Sequence, residues 1–278
     1  MSLIRIIPKL DIKNGLLIKG INLDGLRILG DPNQFALNYY KNYADEIVYL
    51  DSVATLYGTN NLLKFIKQTS KNIFIPLVVG GGIKTVQGIE EVLENGADRI
   101  ALNSAVVDDI RFLNRSAKLF GSSTITMLVE TIKFDGKYFI STSSGRDIVK
   151  INPFDWVKKL EDNGAGEIFL TSVNREGLKR GFDLKLTEKI SRKISIPLIA
   201  HGGAGSFKDV YDVINKCGVS AVAIGSLFHY DTANIMSLNK NINLGNTEFL
   251  RTLNKNKFKN NLILLKKYLK QKKLNVRI

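Results

Sequence analysis

Pro76-Leu77-Val78-Val79-Gly80-Gly81-Gly82-Ile83 and Pro197-Leu198-Ile199-Ala200-His201-Gly202-Gly203-Ala204 are two copies of one design, 121 residues apart. Each is a short apolar run that ends in glycines. Apolar side chains on consecutive positions suit a strand covered on both faces. Glycines at its C-terminal end let backbone N–H groups come close to an anion. Thr85 and Ser206 come next at matching positions, and each precedes a helical pattern. One such stretch is a weak signal. Two in the same local setting point to a duplicated scaffold with two anion sites.

The match extends outward from these turns. Asp31-Pro32 and Asn152-Pro153 place a capping side chain before a proline suited to the first helical position, again 121 residues apart. Glu46-Ile47-Val48-Tyr49-Leu50 pairs with Glu167-Ile168-Phe169-Leu170-Thr171, Ala101-Leu102-Asn103-Ser104 with Ala223-Ile224-Gly225-Ser226, and Asp11 with Glu130. Strand patterns fall near 4–10, 47–51, 75–79, 98–102, 124–130, 167–171, 197–200 and 220–224. Helical patterns fall near 32–43, 59–69, 86–95, 106–119, 153–163, 184–192, 207–217 and 259–272. Strand and helix alternate, four βα units per half, so the expected fold is α/β: a (βα)8 TIM barrel built from two duplicated half-barrels. The chain, residues 1–278, reads as a single domain of this kind. Residues 231–258 break the pattern. They are polar, rich in Asn and Lys, and read as an insertion between strand 8 and the last helix.

Composition narrows the function classes. Hydrophobic residues make up 44% of the chain, enough for a sizeable core, and no apolar run is long enough to span a membrane. Met1-Ser2-Leu3-Ile4-Arg5 leads straight into a strand pattern, so no signal peptide is expected. Cys217, the single cysteine, excludes an internal disulfide and suits a reducing, cytoplasmic setting. The net charge is +14, and residues 239–278 hold eleven Lys or Arg against one acid, Glu248, for +10 of that total. No basic motif interleaved with aromatics accompanies this tail, so it reads as a solvated helix face and not as a nucleic-acid surface. His201, His229 and Cys217 do not make a metal site, and no cofactor motif is present.

In such a barrel the site sits at the C-terminal ends of the strands. Asp11 ends the first strand and Glu130 the fifth, so the duplication sets them across the mouth from each other. Paired carboxylates can act as acid and base when their surroundings separate them. Lys19 can neutralise Asp11 or bind substrate. One anion site would use Gly81, Gly82, Asn103 and Ser104. The other would use Gly202, Gly203, Gly225 and Ser226, with help from Gly177. A substrate with a phosphate at each end would then hold its reactive middle over Asp11 and Glu130. His201 can touch the second phosphate, His229 reads as structural, and Ser143-Ser144-Gly145 reads as a substrate-facing loop.

Several stretches together resemble the cyclase subunit of imidazole glycerol phosphate synthase, within the histidine-biosynthesis group of duplicated half-barrels. They are Leu10-Asp11-Ile12-Lys13-Asn14-Gly15, Ile18-Lys19-Gly20, Leu50-Asp51, Val79-Gly80-Gly81-Gly82-Ile83, Asn103, Ser144-Gly145, Gly164-Ala165-Gly166-Glu167-Ile168, Thr171-Ser172, Gly202-Gly203-Ala204-Gly205 and Phe228-His229. The resemblance runs from residue 4 to about 230 and resumes over 262–278. It implies a heterodimer with a glutaminase subunit and ammonia delivered up through the barrel. Arg5, Glu46, Arg99 and Glu167 would be the charged gate at its bottom. It also implies substrate contacts at Asp51, Ser144 and Thr171, with Asp11 and the second carboxylate as the catalytic pair. The substrate would be a bis-phosphorylated ribulosyl-formimino aminoimidazole carboxamide nucleotide. The products would be imidazole glycerol phosphate and aminoimidazole carboxamide ribotide.

The chain departs from that family pattern at several places. Glu130 stands for an Asp, Glu176-Gly177-Leu178 for Asp-Gly-Thr, His201 for a Ser and Arg99 for a Lys, and the 231–258 insertion is extra. Most of these changes lie on the catalytic face. They leave two alternatives: a paralogue that supplies ammonia for acetamido-to-acetamidino sugar modification in surface polysaccharide, and a non-catalytic glutaminase scaffold.

Overall fold

The computed structural model describes residues 3–52, 62–237 and 261–278. Eight parallel strands close on themselves: β1 (Arg5–Lys13), β4 (Ile47–Asp51), β5 (Leu77–Gly80), β6 (Arg99–Leu102), β7 (Ile125–Phe134), β10 (Glu167–Ser172), β11 (Leu198–His201) and β12 (Ala221–Ile224). Pairing of β7 with β10 and of β12 with β1 completes the ring. The (βα)8 barrel expected from the duplication is therefore the observed architecture.

Local chemistry explains the helix starts. Asp31 accepts from Asn33 N at 2.9 Å ahead of α1 (Pro32–Lys41), and Asn152 accepts from Phe154 N at 2.9 Å ahead of α6 (Pro153–Asp162). The two hydroxyl residues behind the glycine turns do the same work. Thr85 accepts from Gly88 N at 3.0 Å at the head of α3 (Val86–Glu94). Ser206 and Asp209 form a reciprocal capping box on α8 (Phe207–Cys217). The remaining α-helices among the described residues are α2 (Leu62–Ser70), α4 (Ser104–Asp108), α5 (Ile110–Phe120), α7 (Leu184–Ser191), α9 (Ser226–Ser237) and α10 (Asn261–Gln271). No helix among the described residues is long and apolar enough to cross a membrane.

Two cores result. The larger fills the space between helices and barrel. The smaller lies inside the barrel and consists of Ile7, Val48, Leu50, Val78, Ala101, Leu128, Phe169, Ile199, Ala221 and Ala223, all buried. Strand β1 shows how the inside is layered. Arg5, Ile7 and Lys9 pair in register with Ala221, Ala223 and Val48, and Asp11 pairs with Leu50; all four partners belong to the inner core. Since residues two apart share one face of a strand, Arg5, Ile7, Lys9 and Asp11 climb the barrel interior from bottom to mouth.

The structure departs from the expected elements in four places. First, Asp11 and Glu130 do not end their strands. Each sits where parallel pairing gives way to an antiparallel hairpin: β1 continues to Lys13 and turns into β2 (Leu16–Ile21) and β3 (Asp24–Gly30), and β7 continues to Phe134 and turns into β8 (Lys137–Thr142) and β9 (Asp147–Val149). The turns are Asn14-Gly15, with φ of 50° and 75°, and Asp135-Gly136, with φ of 48° and 74°. Positive φ at both residues is the two-residue hairpin geometry that Asn-Gly and Asp-Gly favour. The turns are themselves 121 residues apart, so the duplication includes the hairpins. Second, the expected helix over 106–119 is two helices, α4 and α5, broken at Asp109, whose side chain caps α5 through Arg111 N at 3.0 Å. Third, a helix absent from the expected pattern, α9, starts at Gly225 and Ser226, with Phe228 N and His229 N both bonded to Gly225 O at 3.0 Å. Fourth, α9 runs to Ser237, so residues 231–237 of the expected insertion are helical. Residues 238–258 of that insertion lie outside the described residues, as do residues 59–61 of the expected second helix.

Candidate active site

A cavity opens at the C-terminal end of the barrel. Asp11 and Glu130 both line it, with Lys9, Lys19, Asp51, Gly81, Gly82, Asn103, Ser104, Leu128 and Ser144 among its walls. The two carboxylates and the whole first anion set are thus brought together, on β1, β7, the turn after β5 and the start of α4. The glycine turn is possible only without side chains. Gly81 has φ of 106°, and a Cβ there would stand 2.4 Å from the carbonyl oxygen of Asp51.

The loop after β8 closes over the carboxylates. Gly145 N donates to Glu130 Oε2 at 3.0 Å, and Ser144 Oγ donates to the carbonyl of Ser52 at 3.2 Å. Ser52 Oγ in turn reaches Asp11 Oδ1 at 3.4 Å. The segment read as a substrate-facing loop therefore does reach the cavity. Burial at the mouth is the largest influence on Glu130 and lifts its carboxyl to about 7. The Lys9 ammonium and the Gly145 N–H pull it back down, and the Asp11 charge pushes it up.

The second anion set is arranged differently. Gly177, Gly202, Gly203, Gly225 and Ser226 are not among the residues that line this cavity, and neither is Thr171, the expected substrate contact. Gly203 is packed against other backbone: its carbonyl accepts from Gly181 N at 2.8 Å, and a Cβ there would lie 2.2 Å from Gly181 O. The Thr171 hydroxyl is engaged with His201 Nδ1 at 3.0 Å. His201 is buried and held neutral, its pKa driven well down by burial and then by Lys9 and Lys19. His229 is also buried: Nε2 lies 2.7 Å from the Lys9 carbonyl and Nδ1 2.6 Å from the Tyr39 hydroxyl. With burial pushing its pKa to about 4, it stays neutral and bridges α9, α1 and β1, the structural part read for it in the sequence.

Lys19 does not neutralise Asp11. Its Nζ is ion-paired with Glu176 and donates to the Gly20 carbonyl at 2.9 Å. The counter-ion of Asp11 is Lys9, a residue that the reading of the sequence passed over. A signal for it existed: a lysine two positions before Asp11 in the same strand must share the face of Asp11.

At the opposite end of the barrel the four expected charges also meet. Arg5 Nη1 lies 2.6 Å from Glu46 Oε2, and Arg5 Nη2 pairs with Glu167 Oε1. Arg99 Nη1 lies 2.7 Å from Glu167 Oε2 and 3.7 Å from Glu46 Oε1. Glu46 and Glu167 are buried while both arginines keep some exposure, so the ring closes the barrel floor and still faces solvent. Around this floor lie exposed apolar side chains: Leu3, Tyr43 and Phe74 on segments that lead into strands, the last 79% exposed, and Leu119 in the last turn of α5.

Comparison with known proteins places the chain among named relatives. The family model described as histidine biosynthesis protein matches residues 5–234. The chain is 43% identical over 210 residues to the imidazole glycerol phosphate synthase subunit HisF of Legionella pneumophila, covering 75% of this chain and 99% of that protein. It is 39% identical over 245 residues to the protein of the same name from Bacillus cereus, 88% of this chain and 97% of the relative. The Sulfolobus acidocaldarius protein of that name is 40% identical over 236 residues, 85% and 94% of the two chains.

Proposed function

The chain belongs to the histidine biosynthesis protein family, and from that premise we infer that it is the cyclase subunit of imidazole glycerol phosphate synthase. It acts as one barrel domain, residues 1–278, in the cytoplasm. Ammonia from a glutaminase subunit attacks the bis-phosphorylated ribulosyl-formimino nucleotide. Cleavage and cyclisation then give imidazole glycerol phosphate and aminoimidazole carboxamide ribotide. Asp11 and Glu130 exchange the protons, and Gly81, Gly82, Asn103 and Ser104 hold one phosphate. Asp51 and Ser144 contact the substrate. Thr171 contacts the substrate, and Gly177, Gly202, Gly203, Gly225 and Ser226 hold the other phosphate, although these residues lie outside the cavity that holds the carboxylates.

The observation that carries this reading is the alignment along the barrel axis. A ring of Arg5, Glu46, Arg99 and Glu167 closes the floor, ten apolar side chains fill the middle, and the carboxylates stand above them. Neutral ammonia can cross an apolar lining that an ammonium ion cannot, because burying an unpaired charge is far more costly than burying a neutral amine. The ring would serve as the gate, since its arginines must part from their carboxylates before anything passes. The test is turnover of the ribulosyl nucleotide by the purified chain with ammonium salts and no partner. Absence of turnover, with glutaminase binding retained, would move the assignment to the acetamido-sugar paralogue.

The exposed apolar rim of the floor fits the glutaminase. Phe74 leans edge-on to Tyr40, with ring centroids 6.1 Å apart, and presents most of its surface to solvent. Phe74→Asp is expected to weaken glutaminase binding by about 2 kcal/mol, the cost of placing a charge on an aromatic anchor, and to leave ammonium-driven turnover unchanged. Titration calorimetry and the two assays, with glutamine and with ammonium, read these effects separately.

A further inference from the structure

Lys9 has no part in the scheme above, yet it is a buried charge in the wall of the cavity. It is 3% exposed, lies one inward-facing position above Ile7 of the inner core, and pairs through Nζ with Asp11. Its backbone is fixed as well, because the Lys9 carbonyl meets His229 Nε2 at 2.7 Å. The titratable groups that face this region come from every neighbouring element. Asp11 lies on β1 itself, Lys19 on β2, Asp51 on β4, Glu130 on β7, His201 on β11 and His229 on α9; Arg146, from the turn before β9, acts on Glu130. Both histidines are neutral and Lys19 is committed to Glu176. Lys9 is therefore the ammonium that Asp11 holds, and among the described residues no ion pair is formed by Glu130.

We propose that Lys9 is a positioning residue of the reaction cavity: its ammonium anchors the Asp11 carboxylate at the top of the apolar lumen and makes the two carboxylates of the mouth unlike, one ion-paired and one not. The role in turnover rests on the acid–base reading of Asp11 and Glu130 given above. Two carboxylates facing one cavity would otherwise titrate as a coupled pair with interchangeable parts. A cation bound to one of them removes that symmetry. Asp11 is the partner that holds a cation. Glu130, lifted to about 7 mainly by burial, is the partner that carries one near neutrality. The charge of Lys9 also reaches Glu130 and keeps it from rising further.

The test uses the full chain labelled with 13C at the Glu and Asp carboxyls, with the Glu130 signal identified by its loss in Glu130→Gln. In Lys9→Met and Lys9→Gln the midpoint of Glu130 is expected to rise above 7 by about one pH unit or more, the usual effect of removing a cation near a carboxyl. In Lys9→Arg, which keeps the charge, it is expected to stay near 7. Asp11→Asn provides an arm that needs no change at Lys9: with one like charge gone and Lys9 released, the Glu130 midpoint should fall. Ammonium-driven kcat should drop about tenfold or more in Lys9→Met, with KM for the nucleotide nearly unchanged. A purely structural lysine would move thermal stability and leave the Glu130 midpoint where it was. That result in the folded neutral variants, or an unmoved midpoint in Asp11→Asn, overturns the proposal. A shifted midpoint in a chain that never turns over the nucleotide would instead remove the cyclase reading and leave the Lys9 counter-ion in place.

Discussion

Asp11→Asn is expected to lower ammonium-driven turnover of the ribulosyl nucleotide by about 10³-fold, within the range for loss of a positioned proton-transfer group. The substitution is nearly isosteric and removes the ability to take a proton together with the negative charge that Lys9 meets. Asp11 sits at the point where β1 leaves its partner β4 for the hairpin, so its backbone is held from both sides. Its side chain meets the Lys9 ammonium and Ser52 Oγ. An amide there would leave Lys9 buried without its counter-ion, so unfolding must be monitored alongside the rate. If the folded variant keeps more than a tenth of the activity, Asp11 is not the proton carrier. The pH profile separates the partners. If Glu130 donates the proton, turnover measured at constant free ammonia declines as pH rises through about 7, because the donor form is lost. Glu130→Gln would abolish that limb. Glu130→Asp is informative in another way: a large gain in rate would mean that the longer side chain is a handicap, since displacement of a catalytic group by about 1 Å can cost about 10²-fold.

The barrel was legible because its duplication repeats at every level that the physics can read. The apolar runs, the capping residues ahead of Pro32 and Pro153, and the hydroxyls behind both glycine turns recur at one spacing and have matching roles in three dimensions. The hairpins were equally written in Asn14-Gly15 and Asp135-Gly136. They were missed because a barrel template ends each strand at its active-site residue and assigns the residues beyond it to a loop. Helix α9 was missed for a different reason. Leu227, Phe228 and Tyr230 pack against the core while the segment beyond turns polar, so no amphipathic period stands out. In the site, the residues of the first turn and the two carboxylates could be placed together because strand order alone sets them around one mouth. The partner of Lys19 could not, because that pair joins distant segments: Lys19 and Glu176 are 157 positions apart, and which cation meets which carboxylate depends on side-chain reach.

That buried pair carries the second large effect expected here. Lys19→Met or Glu176→Leu alone should destabilise the fold by about 3 to 5 kcal/mol, the cost of leaving a buried charge without its partner. Lys19 is 2% exposed and Glu176 is 1% exposed, so neither can turn to water without a rearrangement. The surroundings make such a rearrangement difficult. Asn22 N donates to the Glu176 carbonyl at 2.9 Å, Leu23 N reaches Glu176 Oε2 at 3.3 Å, and a Cβ on Gly225 would lie 3.2 Å from Lys19 Cε. The pair thus ties the β2–β3 hairpin to the loop after β10 and to the start of α9, between the cavity and the second glycine turn. The double change Lys19→Met with Glu176→Leu should recover most of the loss, because two apolar side chains of similar size avoid the desolvation of both charges. Urea unfolding of the two single variants and the double variant measures this as a coupling energy. Single variants within about 1 kcal/mol of the parent, the behaviour of an exposed pair, would show that water reaches this junction and that the second turn is not clamped by it. If the coupling is large, the same double variant tests function without the confusion of unfolding. It should keep its stability and lose affinity for the phosphate at the second turn, because the positive charge nearest Gly225 has gone.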